Sequence, residues 1–281
     1  MPRIWTLGKP LIISAFFLSV ISLATQYVAK AVSPSFNILA SKGPGKILFI
    51  LFFVSSAALC MWLTGAAELR QWRETVFKPL QSLQWLRSFS VFFFPFFIVH
   101  ICIIALCVFL NYAHYDHMEW STINWQWPAR IALGFLATLF LTFGEEVLFR
   151  ATLYNYIAQF ISPWYALITT SLCFALAHDI LAPWHLLTTQ WRLGLGLFLL
   201  GLLLNVIYYK TNNLYNAIGA HAGLVFVKVI LRRLPLITFT AQNNLFFCSD
   251  LRQSLLIHSL LLITLGIISY NDRLYKKAKL S

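Results

Sequence analysis

The chain has 281 residues, of which 59% are hydrophobic and 11% charged, and its mean hydropathy is +0.74. A soluble domain is about one quarter charged, so this composition excludes an ordinary water-soluble fold and implies an integral membrane protein. The net charge of +12 does not point to nucleic acid, because bases such as Arg70, Arg73, Lys78, Arg87, Arg273, Lys276, Lys277 and Lys279 lie in connections and tails; anionic lipid headgroups are the matching partner.

A helix needs about 20 apolar residues to cross about 30 Å of hydrocarbon, and in lipid it satisfies its own backbone polar groups. Eight windows are read as such spans, at 10–29, 47–66, 89–112, 129–150, 164–181, 192–209, 213–231 and 254–270. The expected fold is therefore all-α, a polytopic membrane protein of about eight transmembrane helices with a buried active-site cavity, in one domain over 1–281. Repeats and low-complexity tracts are not seen.

The first span follows Arg3 and Lys9 like a secretory signal, but its apolar run exceeds the usual 7 to 15 residues and further spans follow, so it is read as retained. The tract SKGPGK at 41–46 lacks the spacing and the following Ser or Thr of a phosphate loop and reads as a turn. Between spans two and three, bases alternate with Trp72, Phe77, Leu80, Leu83, Trp85 and Leu86, a pattern for a helix lying in the headgroup layer. Trp120, Trp125 and Trp127 precede span four and mark an interface. With both termini inside, the 68–88 connection and the C-terminal basic cluster face the cytoplasm, although Lys30, Lys42 and Lys46 then lie outside. Cys60, Cys102, Cys107, Cys173 and Cys248 lie almost all in apolar segments without CxxC spacing and read as packing residues.

Ionisable groups inside spans cost about 2.5 to 3.5 kcal/mol each at the membrane centre, which makes each one a functional hypothesis. Three sets stand out: Glu145, Glu146 and Arg150; His178 with Asp179; and His221. Glu146 and Arg150, four apart, share a helix face and can pair. Glu145 points about 100 degrees away and needs its own partner, or a proton, or water. One carboxylate and two histidines from three spans are enough to activate a water and stabilise an oxyanion. Gly219, Ala220, Ala222 and Gly223 around His221 would admit a neighbouring helix or a substrate backbone. The bland reading is a buried ion pair fixing register and histidines bonded to carbonyls; His100 and His258 are assigned to it, and Asp179 to a helix end. His114, His117 and His185 fall in connections or at interfaces.

EEVLFR at 145–150 matches the pattern EExxxR, FALAH at 174–178 matches FxxxH, and NLYNAIGAHAGL around His221 resembles a third motif; together they resemble the CPBP family, which contains the type II CAAX prenyl endopeptidases and bacterial homologues linked to bacteriocin processing and self-immunity. The motifs cover about 140–230, within a core of about 130–232, leaving accessory helices over 1–112 and a C-terminal helix at 254–270. The resemblance implies a metal-independent, glutamate-dependent intramembrane endopeptidase without cofactor. Glu145, helped by His178, would activate water, and His221 would stabilise the oxyanion. Glu146 and Arg150 would hold the site together, and Phe174 would pack as the motif's aromatic. The implied substrate is a membrane-associated peptide or protein tail, lipid-anchored or membrane-inserted, and the implied location a bacterial cytoplasmic membrane.

The family's last motif commonly runs HxxxN, and Val225 stands where that asparagine would donate. Either Asn213 or Asn216 compensates, or the site works with one donor. Depth raises a second question, since Glu145 and His178 lie near opposite ends of their windows. Span four must continue obliquely past Arg150 towards Phe160, or span five must be broken or tilted. Two readings compete with the glutamic protease. One is a zinc protease using His178, His221 and a glutamate, although HExxH is absent. The other is a non-catalytic scaffold or immunity protein in which the charged cluster is structural.

Overall fold

The computed structural model describes residues 73–115, 126–179, 183–233, 236–240, 246 and 250–270. The spans expected at 10–29 and 47–66 lie outside them. The remaining six appear as helices: α1 (Gln84–Phe109), α2 (Gln126–Ile157), α3 (Pro163–Ala177), α5 (Trp191–Thr211), α6 (Leu214–Arg233) and α7 (Leu255–Tyr270), with a short α4 (Pro183–Leu187) between α3 and α5. Four of them, α1, α2, α5 and α6, are long and apolar enough to cross a membrane, while α3 and α7 are apolar but shorter. The protein is an all-α, polytopic integral membrane protein.

Two features depart from the expected pattern. Ala113–Tyr115 (β1) pairs antiparallel with Ile237–Phe239 (β2), Ala113 opposite Phe239, and this small ribbon ties the end of α1 to the end of α6. Residues 73–83 do not form one headgroup helix. A π turn at Arg73–Phe77 passes into a 3-10 turn at Lys78–Gln81, and Ser82 is extended, with ψ 158. Pro79, which has no N–H to give an α-helix, sits at the start of the second turn. Phe77, Leu80 and Leu83 are exposed, as a headgroup segment requires, while Val76 is buried and its carbonyl accepts the Tyr215 hydroxyl at 2.7 Å.

α6 packs along α1 and α2, and α5 packs against α3 and α7. The α1–α6 contact depends on Gly219 and Gly223, four apart on one face: a Cβ at either would run into the α1 carbonyls of Phe89 or Phe93. His100 of α1 fastens the same seam, its Nδ1 2.7 Å from the Leu224 carbonyl. The turn between α5 and α6 is two asparagines long. Asn212 closes α5 in the left-handed region, with φ 48, where asparagine is tolerated better than most residues. Asn213 then caps α6, its Oδ1 accepting the Tyr215 N–H at 2.9 Å. This tight reversal sets His221 two turns into α6, facing the middle of α2.

α2 answers the question of depth. It runs unbroken through Arg150 to Ile157, 32 residues in all, so Glu145 is interior to it. From Val147 to Tyr154 the winding loosens to a π-helix, a form frequent at functional sites. α3 contributes from the other side. Its 15 residues extend about 22 Å, short of a full crossing, so its end at His178 comes level with the glutamates rather than with the far surface.

Candidate active site

Three helices bring together Glu145, Glu146 and Arg150 from α2, Phe174 and His178 from α3, and His221 from α6. Glu146 and Arg150 are both fully buried. Arg150 Nη1 donates to Glu146 Oε1 at 3.0 Å and Nη2 donates to the Gly201 carbonyl of α5 at 3.0 Å. The guanidinium also lies 4.9 Å from the centre of the Phe174 ring, within the range of a cation–π contact. Phe174 is completely buried and stacks edge-on to Phe149 at 5.1 Å, to His178 at 4.7 Å and to His221 at 5.9 Å. It is the spacer around which the polar groups are arranged.

Glu146 has a second partner that pattern reading did not supply. Its Oε1 also lies 2.8 Å from His221 Nδ1. An arginine-paired carboxylate accepts hydrogen bonds, so Nδ1 carries the proton and donates. Neutral His221 therefore presents a bare Nε2, and 3.8 Å from it is Glu145 Oε2. That oxygen is buried and makes no hydrogen bond among the described residues. A proton placed between the two would draw them into a direct hydrogen bond. Glu145 keeps part of its side chain, 22%, open to solvent, whereas Glu146 has none.

His178 is oriented by the same device. Its Nδ1 is 2.8 Å from the Phe174 carbonyl one turn back, so Nδ1 donates and Nε2 is left as an acceptor. The residue as a whole is exposed, its ring bond to Phe174 is partly buried, and the charge of Glu145 reaches it. Asp179, next in sequence, belongs to the helix end: its Oδ2 is 3.5 Å from His185 Nδ1. Asn213 and Asn216 do not join the cluster. Asn213 spends its oxygen on the α6 cap and its Nδ2 on the Ser88 hydroxyl at 3.0 Å. Asn216, five residues before His221, is about 140 degrees round the helix from it. His258 and His100 bond to carbonyls, those of Arg252 and Leu224.

Gly201 and Phe149 were not singled out from the sequence. Phe149 lies inside EEVLFR, but its position there says nothing about ring contacts. Gly201 acts through its carbonyl, which no side-chain pattern reveals. Among the described residues, no three His, Cys, Asp or Glu side chains converge as a metal-binding group.

The segment that supplies these groups matches the family model described as type II CAAX prenyl endopeptidase Rce1-like, over residues 124–227. Residues 124–227 carry an Rce1-like domain. The match contains EEVLFR, FALAH and His221, and over that segment the chain is similar to a family of proteases. No curated protein and no solved structure matches the chain. In the Rce1-like segment, then, the motif residues read from the sequence and the polar cluster are the same residues.

Proposed function

We propose that the Rce1-like domain is a glutamate-dependent, metal-independent intramembrane endopeptidase. The observation that carries this is Glu145 Oε2, buried and unbonded among the described residues, 3.8 Å from a His221 Nε2 whose opposite nitrogen is fixed by Glu146. A water between Glu145 and His178 Nε2 would lose a proton to the carboxylate as its oxygen attacks the peptide carbonyl carbon. The carbonyl oxygen becomes the oxyanion. Neutral His221 has no N–H to offer it, so the oxyanion role requires the imidazolium, held between Glu146 and Glu145. As the C–N bond breaks, the proton on Glu145 passes to the leaving amine.

The substrate in this reading is a membrane-associated peptide or protein tail, lipid-anchored or membrane-inserted, met in the plane of the bilayer. The exposed rings of Trp184 on α4 and Trp191 at the start of α5 suit a membrane boundary. The chain would lie in a bacterial cytoplasmic membrane with both ends inside. The test is cleavage of membrane-associated peptides by purified protein, with and without chelator, across Glu145→Gln, His178→Ala and His221→Ala. Cleavage insensitive to chelator and lost in all three variants is expected. Loss with chelator and rescue by zinc would establish the zinc reading instead, and full activity of a folded Glu145→Gln would end the catalytic proposal.

A further inference from the structure

Residues 73–87 turn one side to the bundle and the other outwards. On the inner side Val76 is buried and its carbonyl accepts the Tyr215 hydroxyl of α6 at 2.7 Å, while Trp85 lies against the Tyr215 ring at 5.9 Å. The Thr75 side chain hydrogen-bonds to the Tyr208 hydroxyl of α5. That hydroxyl also accepts from Asn155 Nδ2 at 2.8 Å, and Asn155 is the residue at which the loosened winding of α2 ends. Tyr154 stacks edge-on to the Tyr208 ring at 5.9 Å, and Arg73–Phe77 packs directly on Val147–Tyr154. The π segment begins at Val147, the neighbour of Glu146. Such winding is rare, and helical segments in proteins owe most of their stability to packing, so the inner side of 73–87 is part of what holds it.

On the outer side Phe77, Leu80, Leu83 and Leu86 are exposed, Leu83 at 79%, and Arg73, Lys78 and Arg87 are exposed among them. Water is a poor solvent for that row of apolar side chains. Hydrocarbon is no better, because it offers no partner to the irregular backbone of a 3-10 turn and an extended Ser82. The headgroup layer meets both demands. The sign of its charge follows from the acids. Glu74 is the only acid in 73–87 and pairs with Lys78 at 2.7 Å, so Arg73 and Arg87 keep their charge with no acid in this stretch to balance it. A guanidinium edge fits a phosphate bidentately. A zwitterionic headgroup brings its own cation to that contact, whereas an anionic one brings the charge the arginines lack.

We propose that residues 73–87 bind anionic phospholipid headgroups and that this contact holds the π segment of α2, and with it Glu145 and Glu146, in register with His221. Anionic lipid is then an activator of the site as well as its surroundings. Two routes carry the effect inwards. One runs from Thr75 through Tyr208 and Asn155 to α2; the other runs from Val76 through Tyr215 to α6, one and a half turns before His221. Each base near an anionic surface contributes about fivefold in affinity, enough for three of them to distinguish anionic from zwitterionic lipid. The effect on rate rests on the hydrolytic reading above, whereas the binding and its effect on α2 do not.

The test uses full-length protein, first in neutral detergent with phosphatidylglycerol or phosphatidylcholine added, then in nanodiscs of either lipid. Native mass spectrometry should show the wild type retaining phosphatidylglycerol about tenfold better than phosphatidylcholine. The preference should fall at least about fivefold in the triple variant Arg73→Gln, Lys78→Gln, Arg87→Gln. It should survive in Arg73→Lys, Lys78→Arg, Arg87→Lys, and in Arg130→Gln, Arg192→Gln, Arg232→Gln, a control at the other ends of α2, α5 and α6. Amide exchange over 147–154 should be about tenfold slower in phosphatidylglycerol nanodiscs than in phosphatidylcholine ones. That difference should vanish in the neutral triple and in Tyr208→Phe with Tyr215→Phe, a pair that still retains the lipid. Cleavage of one membrane peptide should follow the exchange, with the change in kcat rather than KM. Equal retention of the two lipids by the wild type, or a preference that outlives the neutral triple, overturns the surface. Equal exchange in the two nanodiscs, or a difference that survives the tyrosine pair, overturns its link to the site, and equal cleavage rates beside unequal exchange overturn the activation. Slower exchange in phosphatidylglycerol with no peptide cut in either lipid upholds the surface and its link to α2, and the hydrolytic reading is then what fails.

Discussion

Glu146 Oε1 receives two donors at once, Arg150 Nη1 at 3.0 Å and His221 Nδ1 at 2.8 Å, and this shared oxygen joins α2 to α6 at the depth of the site. It fixes the His221 tautomer and turns Nε2 towards Glu145. A Glu146→Gln substitution keeps the shape but leaves Arg150 without its counter-charge in a place with no solvent. Breaking a buried pair in this way costs about 3 to 5 kcal/mol. Reversible unfolding in detergent should show a loss of that order, together with loss of hydrolysis.

Glu145→Gln should behave in the opposite manner. Glu145 is partly open and its Oε2 makes no hydrogen bond among the described residues, so an amide of equal size removes little that holds the fold. It does remove the base. Unfolding within about 1 kcal/mol of the wild type is expected, with cleavage lower by about 10²- to 10⁴-fold.

The sequence displayed the six spans within the described residues, though not the short α4, because each is an apolar run flanked by polar or turn-forming residues, and it displayed the site residues because charge inside such a run is rare. It did not display which groups bond to which. Glu146 was assigned to Arg150 by spacing along one helix, and that pair exists; the bond to His221 spans 75 positions and depends on how α6 is rotated against α2. The rotation is set by Gly219 and Gly223 against α1 and by the Asn212–Asn213 reversal, which are legible as turn and small-residue signals but not as angles. The Gly201 carbonyl and the β1–β2 ribbon are backbone contacts, and side-chain periodicity carries no trace of them.

The α1–α6 seam gives a prediction remote from the chemistry. Alanine at Gly219 or Gly223 would put a Cβ against the backbone of Phe89 or Phe93, and backbone cannot swing aside as a flexible side chain does. Overpacking of this kind costs about 1 to 3 kcal/mol. Each variant should unfold at a lower temperature, and because His221 rides on α6 between the two, cleavage should fall more steeply than stability.

Asp250 gives a pH dependence with a definite sign. Burial raises its folded carboxyl, but Arg252 Nη2 at 2.6 Å and Lys228 Nζ at 3.2 Å outweigh that and hold it well below its usual range. Its contribution to stability is therefore fully present above the unfolded value of about 3.9 and fades only as pH falls through the lower folded value. The stability difference between wild type and Asp250→Asn should therefore be constant from about pH 7 to pH 5 and shrink below about pH 4. A difference that collapses near pH 6 would contradict the Arg252 and Lys228 contacts as its source.

The vacancy left by the third motif can be filled by substitution. Val225 is one turn beyond His221 on the same face of α6, where an asparagine amide would point towards the groups that His221 approaches. Asn213 and Asn216 do not supply that donor, the first because it is committed to the α6 cap and to Ser88, the second because it lies round the helix. Loss of one oxyanion donor typically costs 10²- to 10³-fold in rate, so if the site works with His221 alone, Val225→Asn should raise kcat, by at least about tenfold, with little change in KM. Single-turnover cleavage by the two proteins, compared on one membrane peptide, checks this. An unchanged rate in a stable Val225→Asn protein would mean that a second donor already reaches the oxyanion from elsewhere, and the backbone N–H groups beside the His178 end of α3 would then be the next to examine.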